Sequence, residues 1–151
     1  LDTRFAGCVS NNSGCMGAAI SRRQFGETIE AITRVFPYWF KPQLREYANK
    51  ESELPIDQHQ LLALIAPRPL YVTSASEDLW ADPRGELLAL VEAGKVYSLF
   101  GAKNIPSMES FKKPFFGDVA YHMRNGKHDI VEYDWINFCD FFGAKLSKCL
   151  K

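Results

Sequence analysis

Three short apolar runs along the chain have the pattern of strands that are buried on both faces. They cover residues 4–10, 69–75 and 119–124, and a polar stretch or an Asn/Gly turn sequence follows each one. A run of this length that lacks regular alternation with polar residues is typical of a strand in a parallel sheet. The pattern therefore predicts three buried, parallel strands.

Helical patterns lie between and after these runs. The first helix is expected to begin after the N-cap Asp57 and to be stopped by Pro67. Residues 85–93 predict a second helix, which Gly94 ends. The last helix is capped by Asp134 and has one apolar face at helical spacing, formed by Trp135, Phe138, Cys139 and Phe142.

The stretch from residue 21 to residue 54 fits no strand. Its apolar residues predict a helix that runs into an aromatic loop, and they are Ile29, Ile32, Phe36 and Trp39. A long excursion of this kind commonly caps a sheet or lines a ligand cleft.

Buried strands that alternate with helices predict an α/β fold, with a mostly parallel sheet flanked by helices. Three strands are few for an open sheet, so residues 1–151 form either a small α/β domain or part of a larger one.

Composition and charge narrow the class of protein. Of the 151 residues, 46% are hydrophobic and 24% are charged, and 18 basic residues balance 18 acidic ones. Without a net positive charge or an apolar run of about 20 residues, we expect no nucleic-acid and no membrane partner. The basic pairs at 22–23 and 112–113 are too short for a nucleic-acid site. The chain begins at Leu1 with neither an initiator methionine nor a signal peptide, which is typical of a processed or truncated sequence.

Cysteine and histidine spacing gives no metal or redox motif. The cysteines form no C-x-x-C pair, and they are Cys8, Cys15, Cys139 and Cys149. Cys8, in a strand-like run, and Cys139, on the apolar helix face, are expected to be buried free thiols, with one disulfide left open. The histidines have no ligand spacing, and they are His59, His122 and His128. His59 is expected to be a buried, hydrogen-bonded residue, and we expect neither a metal nor a cofactor.

Two candidate catalytic residues follow strands. Asp78 comes after the 69–75 run and His128 after the 119–124 run, 50 residues apart. Carboxyl ends of parallel strands meet at one edge of the sheet, and α/β-hydrolases carry the acid and then the histidine of a triad on such loops. The histidine takes the proton of a serine hydroxyl, and the carboxylate orients the imidazole. On position alone, His128 could also be an ordinary exposed side chain and Asp78 could cap a turn.

The nucleophile of such a triad has no counterpart in the chain. No G-x-S-x-G elbow occurs, and serines such as Ser13 lack the strand–elbow–helix context. The sequence therefore predicts the acid and the base of a triad whose nucleophile lies outside the chain.

Five segments resemble one enzyme family. They are residues 11–23 (NNSGCMGAAISRR), 54–59 (LPIDQH), 63–68 (ALIAPR), 77–86 (EDLWADPRGE) and 126–129 (GKHD). Together they resemble the bacterial glucuronoyl esterases, carbohydrate esterase family fifteen, in the family's own order. The resemblance implies the C-terminal part of a single α/β-hydrolase domain, whose nucleophile-bearing N-terminal part lies upstream of this chain.

The resemblance also implies roles for individual residues. His128 matches the family's catalytic base, and Asp78 matches the acid of many bacterial members. Other members use a glutamate at the position of Asn12, which cannot serve as an anion, so Asp78 is expected to be the only acid. Trp80 resembles a tryptophan that lines the sugar site, and Glu27 is a candidate for hydrogen bonds to glucuronate hydroxyls.

The activity that the resemblance implies is hydrolysis of esters between 4-O-methyl-glucuronic acid on xylan and lignin alcohols, by a secreted or periplasmic enzyme. Two alternatives stay open: a deacetylase similar to the acetyl xylan esterases, and a non-catalytic carbohydrate-binding fragment. Without its upstream part, the chain is expected to be inactive and to fold poorly, because one apolar edge of its sheet would be unpaired.

Overall fold

The computed structural model describes residue 2 and residues 4–147. These residues form a mixed α/β unit. Its strands are β1 (Cys8–Asn11), β2 (Leu70–Ala75), β3 (Phe115–Phe116) and β4 (Ala120–Arg124), and its helices are α1 (Ile29–Val35), α2 (Gln58–Ala63), α3 (Pro83–Leu99) and α4 (Glu132–Leu146). Short 3₁₀ turns lie in the connections, at Ser21–Arg23, Pro42–Tyr47, Glu51–Glu53, Leu79–Ala81 and Met108–Phe111.

The sheet has the order β1-β2-β4-β3, with β1, β2 and β4 parallel and β3 antiparallel to β4. The three predicted parallel strands and the α/β class are confirmed. The sequence did not predict β3, because a two-residue strand leaves no periodic pattern. At the opposite edge, β1 pairs with β2 only, and no other strand of the described residues lies beside it.

Side chains alternate between the two faces of the sheet, and a different helix covers each face. Leu70 and Val72 of β2 lie in one cluster with Leu87 and Leu90 of α3. Tyr71, between them in sequence, points to the other face, in a cluster completed by Ala120, Phe138 and Phe141. Burial on both faces explains why the strands read as continuous apolar runs.

The structure confirms one predicted helix boundary and corrects another. Asp57 caps α2, accepting a hydrogen bond from the Gln58 N–H at 2.7 Å, while its own N–H donates to the Gln60 side chain at 2.8 Å. Gly94 does not end the second predicted helix, since α3 continues to Leu99. A Cβ at Gly94 would lie 3.3 Å from Ile105, so the glycine permits close packing instead of a stop.

The last helix begins earlier than predicted and turns a different face inward. Its N-cap is Val131, and Asp134 lies in the first turn, where its carboxylate accepts a hydrogen bond from the Val131 N–H at 2.8 Å. The predicted cap at Asp134 is therefore wrong. The buried face consists of Asp134, Phe138 and Phe141, whereas Trp135 and Cys139 are exposed.

The described cysteines and His59 differ in part from the predictions. Cys8 is half-buried, Cys15 is buried and Cys139 is exposed, and all three are free. Cys149 lies outside the described residues. His59 is half-buried, and its Nδ1 has no hydrogen-bond partner among the described residues, so the prediction of a hydrogen-bonded buried residue is wrong. No helix within the described part of the chain is long and apolar enough to cross a membrane.

Candidate active site

The loops after β2 and β4 are tied together at the carboxyl edge of the sheet. The two strands end side by side, with Ala75 opposite Arg124. Just beyond them, the Ser76 N–H donates to the Arg124 carbonyl at 2.9 Å, and the Glu77 N–H donates to the Gly126 carbonyl at 2.9 Å. These two backbone hydrogen bonds hold the loop of Asp78 against the loop of His128, as the parallel topology predicts.

His128 and Asp78 form a direct hydrogen bond. The distance from His128 Nδ1 to Asp78 Oδ2 is 2.7 Å. The carboxylate is 7% exposed, whereas the imidazole is 69% exposed. A buried carboxylate that accepts from Nδ1–H fixes the tautomer of the neutral ring and leaves Nε2 unprotonated. The pair has the geometry of an acid that orients a base.

A cleft of about 750 Å³ opens beside this pair, and we refer to it as the cleft. His128, Trp80 and Glu27 all line it, so the structure brings the predicted site residues together. Asp78 lies behind the His128 ring instead of lining the cleft. The cleft also contains an aromatic wall, in which Trp39 stacks on Phe36 with ring centres 4.0 Å apart.

Trp80 and Glu27 are held together through the backbone. The Glu27 N–H donates to the Trp80 carbonyl at 2.8 Å. A Cβ at Gly26 would lie 2.4 Å from that same carbonyl oxygen, so only glycine permits this close approach. Trp80 is 56% exposed. Burial raises the pKa of Glu27, a hydrogen bond from the Trp80 side chain opposes this effect, and the charge of Asp78 adds to it. A flat apolar surface thus lies next to a carboxyl group.

Asn12 lies at the edge of the cleft, directly after β1. Its backbone is left-handed, with φ of 45°, and its side chain is buried. The Asn12 amide donates to the Asp129 carbonyl at 2.9 Å, and the Asn11 amide donates to the same oxygen at 3.1 Å. Both asparagines therefore anchor the backbone next to His128.

Sequence reasoning missed Glu86, a fully buried carboxyl group beneath the cleft. Its Oε2 accepts from the Ser74 hydroxyl at 2.6 Å, and its Oε1 accepts from the Gly14 N–H at 3.1 Å. Burial raises the pKa of Glu86 to about 7. A charged residue four positions before Leu90, on the apolar face of a helix, was the available signal.

Sequence reasoning also missed a buried polar network on the other face of the sheet. Asp134 of α4 contacts both His122 and Arg124 of β4, at 2.7 Å and 2.9 Å. Burial lowers the pKa of His122, which favours its neutral form. No group of three or more His, Cys, Asp or Glu side chains that could hold a metal ion occurs in residue 2 and residues 4–147.

Sequence comparison places the chain in a family. The sequence model described as glucuronyl esterase, fungi, matches residues 1–101. The chain belongs to the glucuronoyl esterases. The resemblance to carbohydrate esterase family 15 is thereby confirmed.

Individual glucuronoyl esterases and related enzymes support the assignment. The chain is 49% identical to carbohydrate esterase MZ0003 of an unknown prokaryotic organism, over 93% of this chain and 33% of that protein. It is 34% identical to a 4-O-methyl-glucuronoyl methylesterase of Podospora anserina, over 47% of this chain and 15% of that protein. The solved glucuronoyl esterase of Solibacter usitatus superposes with a TM-score of 0.85 at 47% identity, over 93% of this chain and 36% of that one. The chain thus spans about a third of the length of these bacterial relatives.

Proposed function

We propose that this chain supplies the acid and the base of a serine esterase that hydrolyses 4-O-methyl-glucuronoyl esters between xylan and lignin alcohols. The hydrogen bond of 2.7 Å between His128 and Asp78, at the edge of a cleft that Trp80 lines, is the observation that carries the proposal. Family membership supports the substrate class, since relatives are named glucuronoyl esterases and 4-O-methyl-glucuronoyl methylesterases.

The proposed mechanism assigns one step to each group. Unprotonated Nε2 of His128 takes the proton of a serine hydroxyl as the hydroxyl oxygen attacks the ester carbonyl. Asp78 stabilises the imidazolium that results. His128 then gives the proton to the leaving alcohol oxygen as the C–O bond breaks, and the acyl-enzyme remains. In the second half, His128 activates a water that releases the uronic acid.

The nucleophile in this proposal belongs to a part of the protein outside this chain. No serine hydroxyl among the described residues hydrogen-bonds with His128, and the bacterial relatives are about three times as long as this chain. Among the described residues no strand lies beside β1 on the side away from β2, so this edge is the natural place for a further strand.

The cleft suits a neutral uronate ester, because aromatic residues and the carboxyl group of Glu27 lie together in its lining. Trp80 offers an aromatic face on which a pyranose ring can pack, and Glu27 can accept hydrogen bonds from sugar hydroxyls. The ester carries no charge, whereas hydrolysis creates a carboxylate in the cleft that Glu27 lines. Like-charge repulsion therefore favours release of the product. We place the complete enzyme in the secreted or periplasmic compartment, on family resemblance.

The test uses the complete enzyme and a benzyl ester of 4-O-methyl-glucuronic acid. His128→Ala should abolish nearly all hydrolysis, and Asp78→Asn should lower kcat by several orders of magnitude, because the wrong tautomer is then favoured. Asp129→Asn is the matched control. Its side chain accepts only from the Ile130 N–H within the described residues, and asparagine keeps that acceptor.

Three outcomes would contradict the proposal. Near wild-type rates for His128→Ala or Asp78→Asn would remove the catalytic assignment. Faster turnover of an acetylated xylo-oligosaccharide than of the glucuronate ester would favour a deacetylase instead. Sugar binding without turnover in the complete protein would favour a carbohydrate-binding role.

A further inference from the structure

We propose that Arg124 is a positioning residue, which clamps the backbone on both sides of His128 and is itself fixed by the buried pair Asp134 and His122. The inference rests on the proposed role of His128 as the base. It adds the buried group of Arg124, Asp134 and His122, on the face of the sheet that α4 covers, to the residues that the mechanism needs.

The clamp consists of two hydrogen bonds from one guanidinium nitrogen. Arg124 Nη2 donates to the Lys127 carbonyl at 2.7 Å and to the Asp129 carbonyl at 2.6 Å. These carbonyls belong to the residues immediately before and after His128. Charge-assisted bonds to backbone oxygens fix the loop on both sides of the imidazole more firmly than neutral bonds would.

Asp134 holds the guanidinium in place from α4. Its Oδ2 accepts from Arg124 Nε at 2.9 Å and from the Val131 N–H at 2.8 Å. Asp134 is fully buried and Arg124 is 7% exposed. A buried ion pair costs desolvation, so complete hydrogen bonding of both partners is needed to keep it. The Val131 contact means that the same carboxylate also fixes the end of the loop.

His122 ties this ion pair to the centre of the sheet. Its Nε2 lies 2.7 Å from Asp134 Oδ1 and 2.8 Å from the Thr73 hydroxyl, and its Nδ1 lies 2.7 Å from the Tyr71 hydroxyl. A neutral ring can donate Nε2–H to Asp134 and accept a hydrogen bond from the Tyr71 hydroxyl at Nδ1. The chain of contacts therefore runs from β2 through β4 and α4 to the loop of His128.

The His128 loop depends on these contacts of Arg124 and Asp134, because the His128 side chain itself makes few contacts that would hold the loop in place. The imidazole is 69% exposed. Within the described residues, its one hydrogen bond is that to Asp78. Asp78 belongs to a different loop, where its N–H donates to the Ala75 carbonyl at 3.1 Å. A shift of the His128 loop would therefore separate the acid from the base. A misplacement of about 1 Å can cost about 100-fold in rate.

The experiment replaces Arg124 by Met in the complete enzyme. We expect kcat to fall about 100-fold while KM changes less than about threefold, because ground-state binding does not use the base. The strongly deshielded proton resonance of His128 Nδ1–H, identified by its loss in His128→Ala, should disappear. Arg124→Lys should recover part of kcat and part of that resonance, because an ammonium group can still donate to a carbonyl.

Two control variants separate positioning from a general loss of stability. Arg68→Met removes a similar clamp at the other end of the sheet, where Arg68 Nη1 donates to the Asp2 and Phe5 carbonyls at 3.1 Å each. Phe141→Leu weakens the packing of α4 on Tyr71 without touching the loop. Both should keep kcat and the His128 resonance, even where their unfolding temperature matches that of Arg124→Met.

The outcomes distinguish this inference from the proposed function. Wild-type kcat and an intact resonance in Arg124→Met overturn the clamp and leave the triad assignment standing. Activity in His128→Ala removes the proposed function, and the resonance then still decides whether Arg124 positions the imidazole. If Arg124→Met does not fold, Arg124→Lys decides, and an unchanged resonance with unchanged kcat overturns the inference.

Discussion

Two buried carboxyl groups lie on opposite faces of the same sheet, and they are held in opposite ways. Glu86 of α3 accepts hydrogen bonds from neutral donors, the Ser74 hydroxyl and the Gly14 N–H. Asp134 of α4 faces the guanidinium of Arg124. Glu86 supports the loop of Gly14, which lines the cleft. Asp134 supports the loop that carries His128. Burial without a cationic partner raises the pKa of Glu86, whereas Asp134 is buried together with the guanidinium that it pairs with.

The largest expected effect comes from breaking the ion pair. Asp134→Ala leaves Arg124 as an uncompensated buried charge, which typically costs about 3–5 kcal/mol of stability. Urea unfolding followed by tryptophan fluorescence measures this loss. The double variant Arg124→Met, Asp134→Leu removes both charges and should regain most of the stability without regaining kcat. Recovery of kcat in the double variant would show that the pair serves stability alone.

An intermediate effect is expected at Glu86, and it depends on pH. The pKa of Glu86 is about 7 in the folded protein, above the ordinary value of 4.5, so the folded state binds a proton that the unfolded chain has released between these values. Stability therefore falls as pH rises from 4.5 to 7, and the penalty persists above pH 7.

Glu86→Gln removes this penalty, since an amide carries no charge to desolvate. The variant should match the wild type near pH 4.5 and exceed its free energy of unfolding by up to about 3 kcal/mol at pH 8. Glu92→Gln on the same helix is the control, because Glu92 is a half-exposed residue that pairs with Lys95. A difference between Glu86→Gln and the wild type that does not grow with pH would contradict the assignment.

The smallest expected effect concerns the donors around the two acids. Ser74→Ala removes the shortest hydrogen bond to Glu86, and Thr73→Val removes one contact of His122 on the other face. Each should cost about 1 kcal/mol. The loss in Ser74→Ala should be larger at pH 8 than at pH 5, because an ionised acceptor depends more on its donor. Equal losses at both pH values would mean that Glu86 does not ionise.

Local patterns were sufficient to predict the parallel strands and the meeting of Asp78 with His128. A strand buried on both faces is apolar throughout, and parallel strands bring their carboxyl ends together whatever the details of packing. The helix boundaries were harder. Gly94 looks like a helix end but serves close packing, and an aspartate in the first turn, such as Asp134, looks like a cap.

The buried network could not be predicted from the sequence. It depends on Thr73 lying opposite His122 in the register of β2 and β4, and on the rotation of α4 that turns Asp134 inward. Register and helix rotation are tertiary properties. A single arginine, histidine or aspartate in the sequence does not reveal the strand register or the rotation of the helix.

The Asp129 carbonyl accepts hydrogen bonds from three side chains, those of Asn11, Asn12 and Arg124. All three donate to a backbone oxygen, which every residue type has. For these hydrogen bonds, the side chain at position 129 therefore matters little, whereas the position of its carbonyl along the chain matters greatly. Inserting or deleting one residue in the loop would carry this oxygen away from all three donors at once. Loop length, and not loop composition, is therefore the quantity that related sequences must keep constant here.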